Sequence, residues 1–450
     1  MLRQRACSTS RNAATTPRKR VSGASFLANF FDSPGAAIAQ EAQPLSACIA
    51  ALRKELRTHP EVSAQTFDTY TREVQDLRPV IEIASQAQPE FVIPIWDYLA
   101  RRVDAQRIAE GRELMRQQGD ALADIARRHR VDPATTVAVL GIETNYGSVA
   151  GRYPVVDATL SRACLNLDSS ERKQHFFDAL WLLQEGTVRP ESFRGSWAGA
   201  FGMTQFMPGT FRRYMRDGPD SPPADIVGSM ADALATTARY LRGLGWTEGL
   251  PWGVEVRVPH ELARLNAQEG GHGCLAGARS TGGRCRGAGE WGRAGVTRVD
   301  GSPLVQRDPA AGLVDPATTA ALLMPAGPQG PAWLVTPNYQ AIWRYNRADT
   351  YALAIGLLSD ALRGLPPPQA GWPTDDPGLS RLEFRQLQQL LVRGGHCDVL
   401  VDGAEGPRTS AAIRAEEERL GWQVTGRAGS KLLAALAASS AGASACPANR

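Results

Sequence analysis

The sequence predicts a mainly α chain with a small β element, followed by a small three-helix C-terminal module. Apolar residues recur at three- and four-residue spacing through most of 44–244, with proline and glycine at the breaks. Strand-like alternation is confined to short runs between Val254 and Val335. A stretch rich in Pro and Gly, 364–378, then separates these segments from a last helical pattern at 379–438.

The 450 residues, 43% hydrophobic and 21% charged, suffice for two domains and a sizeable core. The formal net charge of +4 is uneven, because Arg3, Arg5, Arg11, Arg18, Lys19 and Arg20 precede any acid. Without residues 1–39, which hold those six bases and Asp32, 44 basic side chains face 45 acidic ones. A net of −1 calls for no nucleic-acid partner. The basic start, the apolar run at 26–31 and Ala37-Ile38-Ala39 read as an export signal. Asp32 and Pro34 interrupt that run, so a disordered tail or a misplaced start codon stands as the alternative. No stretch approaches the roughly 20 apolar residues of a membrane span.

Candidate helices follow at 45–58, 66–76, 102–117 and 119–130, with breaks at Pro60, Pro79, Pro89, Pro94 and Gly119. The aromatic run Pro94-Ile95-Trp96-Asp97-Tyr98-Leu99 reads as core, with Tyr98 as a candidate for lining a sugar site. Asp132-Pro133 starts a short apolar helix: a capping carboxylate, then a residue whose missing N–H costs nothing in the first turn. That helix delivers Glu143 to a turn of Thr144, Asn145, Tyr146 and Gly147. Val139 and Leu140 lie one turn back, so the acid ends an apolar row that favours its neutral form. A carboxyl group kept protonated until it gives up its proton is what glycosidic cleavage requires of a general acid.

Helices are expected next at 156–164 and 170–185. The run 197–208, W-A-G-A-F-G-M-T-Q-F-M-P, breaks every periodicity; Gly199 and Gly202 permit close backbone approach, and Gln205 is a lone amide among apolar residues. It lacks both glycine patterns that cradle phosphate, and reads as a substrate wall. Pro208 opens another helix, and 232–244, with Tyr240 near its end, is a further amphipathic one. Strands are expected at 254–258, 322–325 and 333–335, and an Asp300-Gly301 hairpin at 296–301. The glycine- and arginine-rich 266–287 reads as an exposed insertion, and 348–362 as a helix preceded by Tyr345-Asn346. The tail reads as helices at 380–393, 409–420 and 429–438, with no catalytic cluster, and suggests binding.

Cys48, Cys164, Cys274, Cys285, Cys397 and Cys446 form neither a CxxC pair nor a zinc pattern. Two or three disulfides in an oxidising compartment are expected, Cys274 with Cys285 closing a short loop. Leu45-Ser46-Ala47-Cys48 also resembles a lipid-attachment box, although Cys48 fits a helical pattern better as a core or disulfide residue.

Three motifs in order, Gly141-Ile142-Glu143-Thr144-Asn145-Tyr146-Gly147, Ser196 to Pro208, and Arg344-Tyr345-Asn346, resemble the MltB-type (family 3) lytic murein transglycosylases over about 45–363. The tail, with Leu387-Gln388, Asp402-Gly403, Gly406-Pro407-Arg408-Thr409 and Ala412-Ile413-Arg414, looks like the peptidoglycan-binding module that follows this domain in many relatives. The resemblance implies a lysozyme-like catalytic domain at 44–363, a linker at 364–378 and a binding module at 379–438. It implies cleavage of the MurNAc–GlcNAc bond of peptidoglycan glycan strands, in the periplasm, to 1,6-anhydroMurNAc ends. One Glu serves as acid and then as base, so no second carboxylate is needed. By position, the resemblance assigns catalysis to Glu143 and substrate contacts to Ser196, Gln205, Tyr345, Asn346 and Tyr351, with Tyr98 and Tyr240 at weaker aromatic positions.

Some relatives carry a calcium loop after the second motif; Asp217-Gly218-Pro219-Asp220-Ser221-Pro222-Pro223 lacks its alternating oxygens, so neither metal nor cofactor is expected. In the tail, Glu416 and Glu417 replace a usual Phe-Gln, and Thr425 a usual Asp. Two rival readings are a hydrolytic muramidase with Asp157 as second carboxylate, and a silent wall-binding scaffold.

Overall fold

Two helices that are apolar on every side anchor the fold. Helix α7 (Pro133–Thr144) starts as expected, Asp132 accepting from the Thr135 amide at 3.0 Å with Pro133 next. From Ala134 to Thr144 every residue is buried except Glu143. Helix α15 (Asp349–Leu362) buries an unbroken run, Tyr351 to Ser359, and packs along α7. Helices without a polar face belong in a core, and each buried Val or Leu there contributes about 1.5–3 kcal/mol.

The computed structural model describes residues 43–86, 88, 93–149, 151–269, 271–276, 284–306, 313, 315–439 and 446. The export signal expected at 1–39 lies outside them. Helices α4 (Ile95–Arg102), α5 (Ala105–Gln117) and α6 (Gly119–His129) pack on the central pair, and α1 (Leu45–Glu55), α2 (Ala64–Thr71) and α3 (Arg78–Gln86) precede them. With α1 and α2, α8 (Val155–Leu165), α9 (Ser170–Gln184) and α10 (Pro208–Tyr214) build a second core around Phe67, Phe176, Phe177 and Phe211; α11 (Met230–Gly243), α12 (His260–Glu269), α13 (Ala288–Arg293) and α14 (Pro337–Asn346) complete the helices of the domain. Helix α3 runs through the break expected at Pro79, because proline at the second helical position costs no hydrogen bond. The helix expected at 66–76 lies at Ala64–Thr71, where Ser63 caps it by accepting from the Thr66 amide.

The β element is larger than the sequence suggested. Strands β3 (Gly253–Arg257), β4 (Cys285–Gly287), β5 (Thr297–Arg298), β6 (Thr319–Leu323) and β7 (Ala332–Val335) form an antiparallel sheet in the order β4-β6-β7-β3-β5. A two-stranded ribbon pairs β1 (Tyr153–Pro154) with β2 (Arg194–Gly195). The Asp300-Gly301 turn forms, with Gly301 at φ 86 and the Arg298 amide donating across it to Ser302 O at 2.9 Å, while the strand partner of β5 is β3. Nor is the described part of 266–287 a purely exposed insertion. β4 joins the sheet, Cys274 is bonded to Cys285, and His272 is 6% exposed, its ring between Gln340 and Asp349 at 2.7 and 2.6 Å.

The disulfides number three among the described residues: Cys48–Cys164, Cys274–Cys285 and Cys397–Cys446. The first ties α1 to α8 and consumes the thiol that lipid attachment at Cys48 would require.

The 364–378 stretch lies on the body of the protein. Trp372 packs between Trp96 and Trp333, and the Gln369 and Ala370 amides donate to Glu255. The C-terminal unit is a three-helix bundle of α16 (Arg381–Arg393), α17 (Pro407–Arg419) and α18 (Ser430–Ser439) around Phe384, Leu387, Leu391, Ile413 and Leu432. A Ser380/Glu383 capping box starts α16. The two acids in place of Phe-Gln are buried and partnered: Glu416 by His396 and Arg419, Glu417 by the Thr425 hydroxyl and the Thr425 and Gly426 amides. Burying a carboxylate is tolerable when its oxygens are this fully occupied.

Candidate active site

Helix α7 ends in a left-handed run: Asn145 at φ 49, Tyr146 at φ 59 and Gly147 at φ 82. The Tyr146 amide donates to Leu140 O and the Asn145 amide to Gly141 O, both at 3.2 Å, which closes the helix in a Schellman-type turn. A tyrosine with positive φ is strained and needs outside support. Support comes from two glycines, since a Cβ on Gly111 would stand 2.3 Å from the Tyr146 oxygen and one on Gly141 2.7 Å from its ring. The Tyr146 hydroxyl then donates to Arg107 O at 2.8 Å. Glu143, half-buried one turn before this stop, is thereby held at the open end of an otherwise buried helix.

The second motif folds into a tight hairpin. Ser196 N donates to Ala200 O at 2.8 Å, and its hydroxyl accepts from the Ala200 amide at 3.2 Å. Gly199 and Gly202, at φ 87 and 76, press on Thr159 and Ile226 with no room for a Cβ. Buried Phe201 and Phe206 pin the hairpin to the core. Gln205 stands at its tip with φ 52, its amide donating to Gly202 O at 2.9 Å.

Hydrogen bonds close the three motifs into a ring. Thr144 Oγ1 donates to Met203 O at 2.5 Å, and the Tyr345 hydroxyl donates to Thr204 O at 2.7 Å. Tyr345 stacks on Tyr351 with centroids 6.3 Å apart, and the Tyr351 hydroxyl donates to Glu143 Oε1 at 2.6 Å. Burial, and after it the Glu143 charge, pushes both phenols well above their ordinary pKa of 10.0, so each stays a neutral donor. The result is a carboxyl group with one oxygen fixed by a phenol, beside a hairpin tip that carries an amide.

The structure therefore brings Glu143, Tyr351, Tyr345 and the Thr204-Gln205 tip together. Ser196 holds the base of that hairpin, and Asn346 is exposed at the last position of α14. Tyr98 differs from its reading as a sugar wall: it is 1% exposed, inside the core, with Arg102 over its ring, and offers no face to a ligand. Tyr240 packs among Phe206, Tyr214 and Tyr345, behind the ring of motifs, where burial pushes its pKa up to about 12. Asp157, in the first turn of α8, accepts from the Gln75 amide at 3.3 Å. Asp217 is engaged by Arg128 at 2.7 Å, and no group of three or more metal-ligating side chains gathers among the described residues. Thr144 and Tyr146 are visible in the sequence only as members of the first motif, without a role, and Arg107 and Arg381 are functional candidates that carry no local sequence signal.

The transglycosylase SLT domain family matches residues 45–360, and the putative peptidoglycan binding domain family matches 380–436. The chain is 23% identical over 304 residues to membrane-bound lytic murein transglycosylase B of Escherichia coli (strain K12), covering 66% of this chain and 75% of that protein. Among solved structures, SltB3 from Pseudomonas aeruginosa in complex with NAG-NAM-pentapeptide is 37% identical, with a TM-score of 0.64, over 88% of this chain and 100% of that one. The same protein in complex with NAG-anhNAM-pentapeptide is 36% identical, with a TM-score of 0.63 and the same coverage. SltB1 from Pseudomonas aeruginosa shares the fold at 23% identity and a TM-score of 0.57, over 70% of this chain and 99% of that one.

Proposed function

The chain belongs to the transglycosylase SLT domain family, and from that premise we propose that Glu143 is its catalytic acid and base. The protein is a lytic transglycosylase: it cleaves the MurNAc–GlcNAc bond of peptidoglycan glycan strands without water and leaves 1,6-anhydroMurNAc ends. The observation that carries the assignment of Glu143 is its place as the one unburied residue between Ala134 and Thr144, hydrogen-bonded by Tyr351.

In this reading Glu143 protonates the glycosidic oxygen as the bond to the leaving sugar breaks. The resulting carboxylate takes the proton of the muramic C6 hydroxyl as that oxygen attacks C1, and the acid is regenerated. Tyr351 remains a neutral donor throughout and fixes the carboxyl rotamer. The C6 hydroxyl belongs to the same sugar, so its high effective molarity favours it over water once the site is filled. Ser196, Gln205, Tyr345 and Asn346 would bind and orient the glycan, with Gln205 presenting polar atoms at the hairpin tip. The domain division 44–363, 364–378 and 379–438 belongs to the same proposal, with the last segment holding wall material. So does a periplasmic location, which three disulfides support because such bonds persist in oxidising compartments.

Digestion of purified sacculi, with masses of the released muropeptides before and after borohydride, tests the reaction. The reading requires products one water lighter than reducing muropeptides and inert to borohydride. Reducible products of full mass would instead favour a hydrolytic muramidase.

A further inference from the structure

The turn that carries Glu143 is completed by a side chain from the C-terminal bundle. Arg381, the first residue of α16, donates through Nη1 to Asn145 Oδ1 at 2.5 Å. Its other donors grip Asp104, Nε to Oδ2 at 2.6 Å and Nη2 to Oδ1 at 3.1 Å, with Glu110 Oε2 3.6 Å away. Asp104 in turn caps α5 by accepting from the Arg107 amide at 2.8 Å. Arg107 reaches the same Asn145 oxygen through Nη2 at 3.3 Å, and its backbone carbonyl accepts the Tyr146 hydroxyl.

Several costs are accepted to build this cluster. A cation in the first turn of a helix opposes the helix dipole. Two guanidinium groups share one amide oxygen, and burial together with Arg381 lowers Arg107 to about 10. Asp104, 2% exposed at its side chain, has left water. Docking alone needs none of this, since the bundle is held elsewhere by Arg427 on Asp97, at 2.7 and 2.8 Å, and by Glu405 on Arg101. Among the attachments described, the Arg381 cluster is the one that touches the catalytic turn, two residues from Glu143.

We propose that Arg381 is a positioning residue for the transglycosylase reaction: through Asn145 it fixes the left-handed turn that aims Glu143, so the wall-binding module also sets turnover. The inference rests on Glu143 as the acid. It differs from tethering, in which the module raises the local concentration of glycan and leaves the chemical step alone.

The test uses the full chain and a soluble, peptide-free GlcNAc–MurNAc tetrasaccharide, with kcat and KM measured separately. Arg381→Ala lowers kcat by about ten- to a hundredfold, the scale of a small misplacement of a catalytic group, while KM and retention on sacculi stay near wild type. Arg381→Lys, a point charge without the planar fork, falls between. Asn145→Gly keeps the positive φ and removes the amide oxygen; in that background Arg381→Ala causes little further loss. Glu405→Gln, which weakens docking away from the turn, leaves kcat unchanged. Unaltered kcat in Arg381→Ala, an undiminished loss in the Asn145→Gly background, or an equal loss in Glu405→Gln each overturns the proposal. If Arg381→Ala does not fold, Arg381→Lys carries the same comparison. Glu143→Gln run in parallel separates the two claims, because its full activity would remove the acid itself, whatever Arg381 does.

Discussion

The Tyr351 hydroxyl lies 2.6 Å from Glu143 Oε1 and joins the two buried helices at the one polar point on α7 that faces outward. Phenylalanine fills the same volume without the donor. Tyr351→Phe is expected to fold normally and to lose a hydrogen bond that becomes charge-assisted once Glu143 has given up its proton, about 1.5–3 kcal/mol, or about ten- to a hundredfold in kcat. Steady-state kinetics with a thermal melt on the same sample separates lost chemistry from lost structure.

Gly141 supports the turn from inside α7. A methyl group there would sit 2.7 Å from the Tyr146 ring, which is packed as tightly against Gly111. Gly141→Ala should lower stability by about 1–3 kcal/mol through overpacking, although alanine is the better helix former. Activity should fall further than stability, because displacing Tyr146 releases the left-handed turn. Denaturant unfolding checks the first part, and assays well below the melting temperature check the second.

His272 links the 266–287 stretch to the start of α15. Its ring contacts Gln340 and Asp349, packs against Tyr339 and Trp343, and is 6% exposed. Burial lowers its pKa, but the hydrogen bond and charge of Asp349 outweigh that and raise it above 6.5. A histidine raised on folding adds stability that is fully present below its unfolded pKa and is lost as pH rises through the folded value. The stability gap between the wild type and His272→Gln should therefore be widest near pH about 6 and shrink above the ordinary histidine value. A gap that widens toward alkaline pH would contradict this pairing.

The sequence revealed the helices best where caps and glycines mark their ends. Asp132-Pro133 located α7, and Ser380 with Glu383 fits the observed start of α16. It failed at Pro79, because a proline looks alike as breaker and as first-turn residue. The sheet was only partly visible, since β4 and β5 are two or three residues long and depend on partners distant in sequence. Glu143, Gln205 and Tyr345 stood out through three motifs, whereas periodicity alone said only that Glu143 ends an apolar row. Tyr98 divides the other way: the aromatic run read as core is core, and the sugar-lining role open to Tyr98 fails because the ring is buried. Arg381 lies 236 residues from Asn145, and no local pattern connects them.

Glu143→Gln, assayed as full-length protein on purified sacculi with product masses, tests the central assignment most directly. Glutamine keeps the size of the side chain and can still accept from Tyr351, but it can neither deliver nor take the proton. A correctly folded protein that retains sacculi and releases no anhydro-muropeptides above background is the expected result. Release of anhydro-muropeptides at the wild-type rate would contradict it.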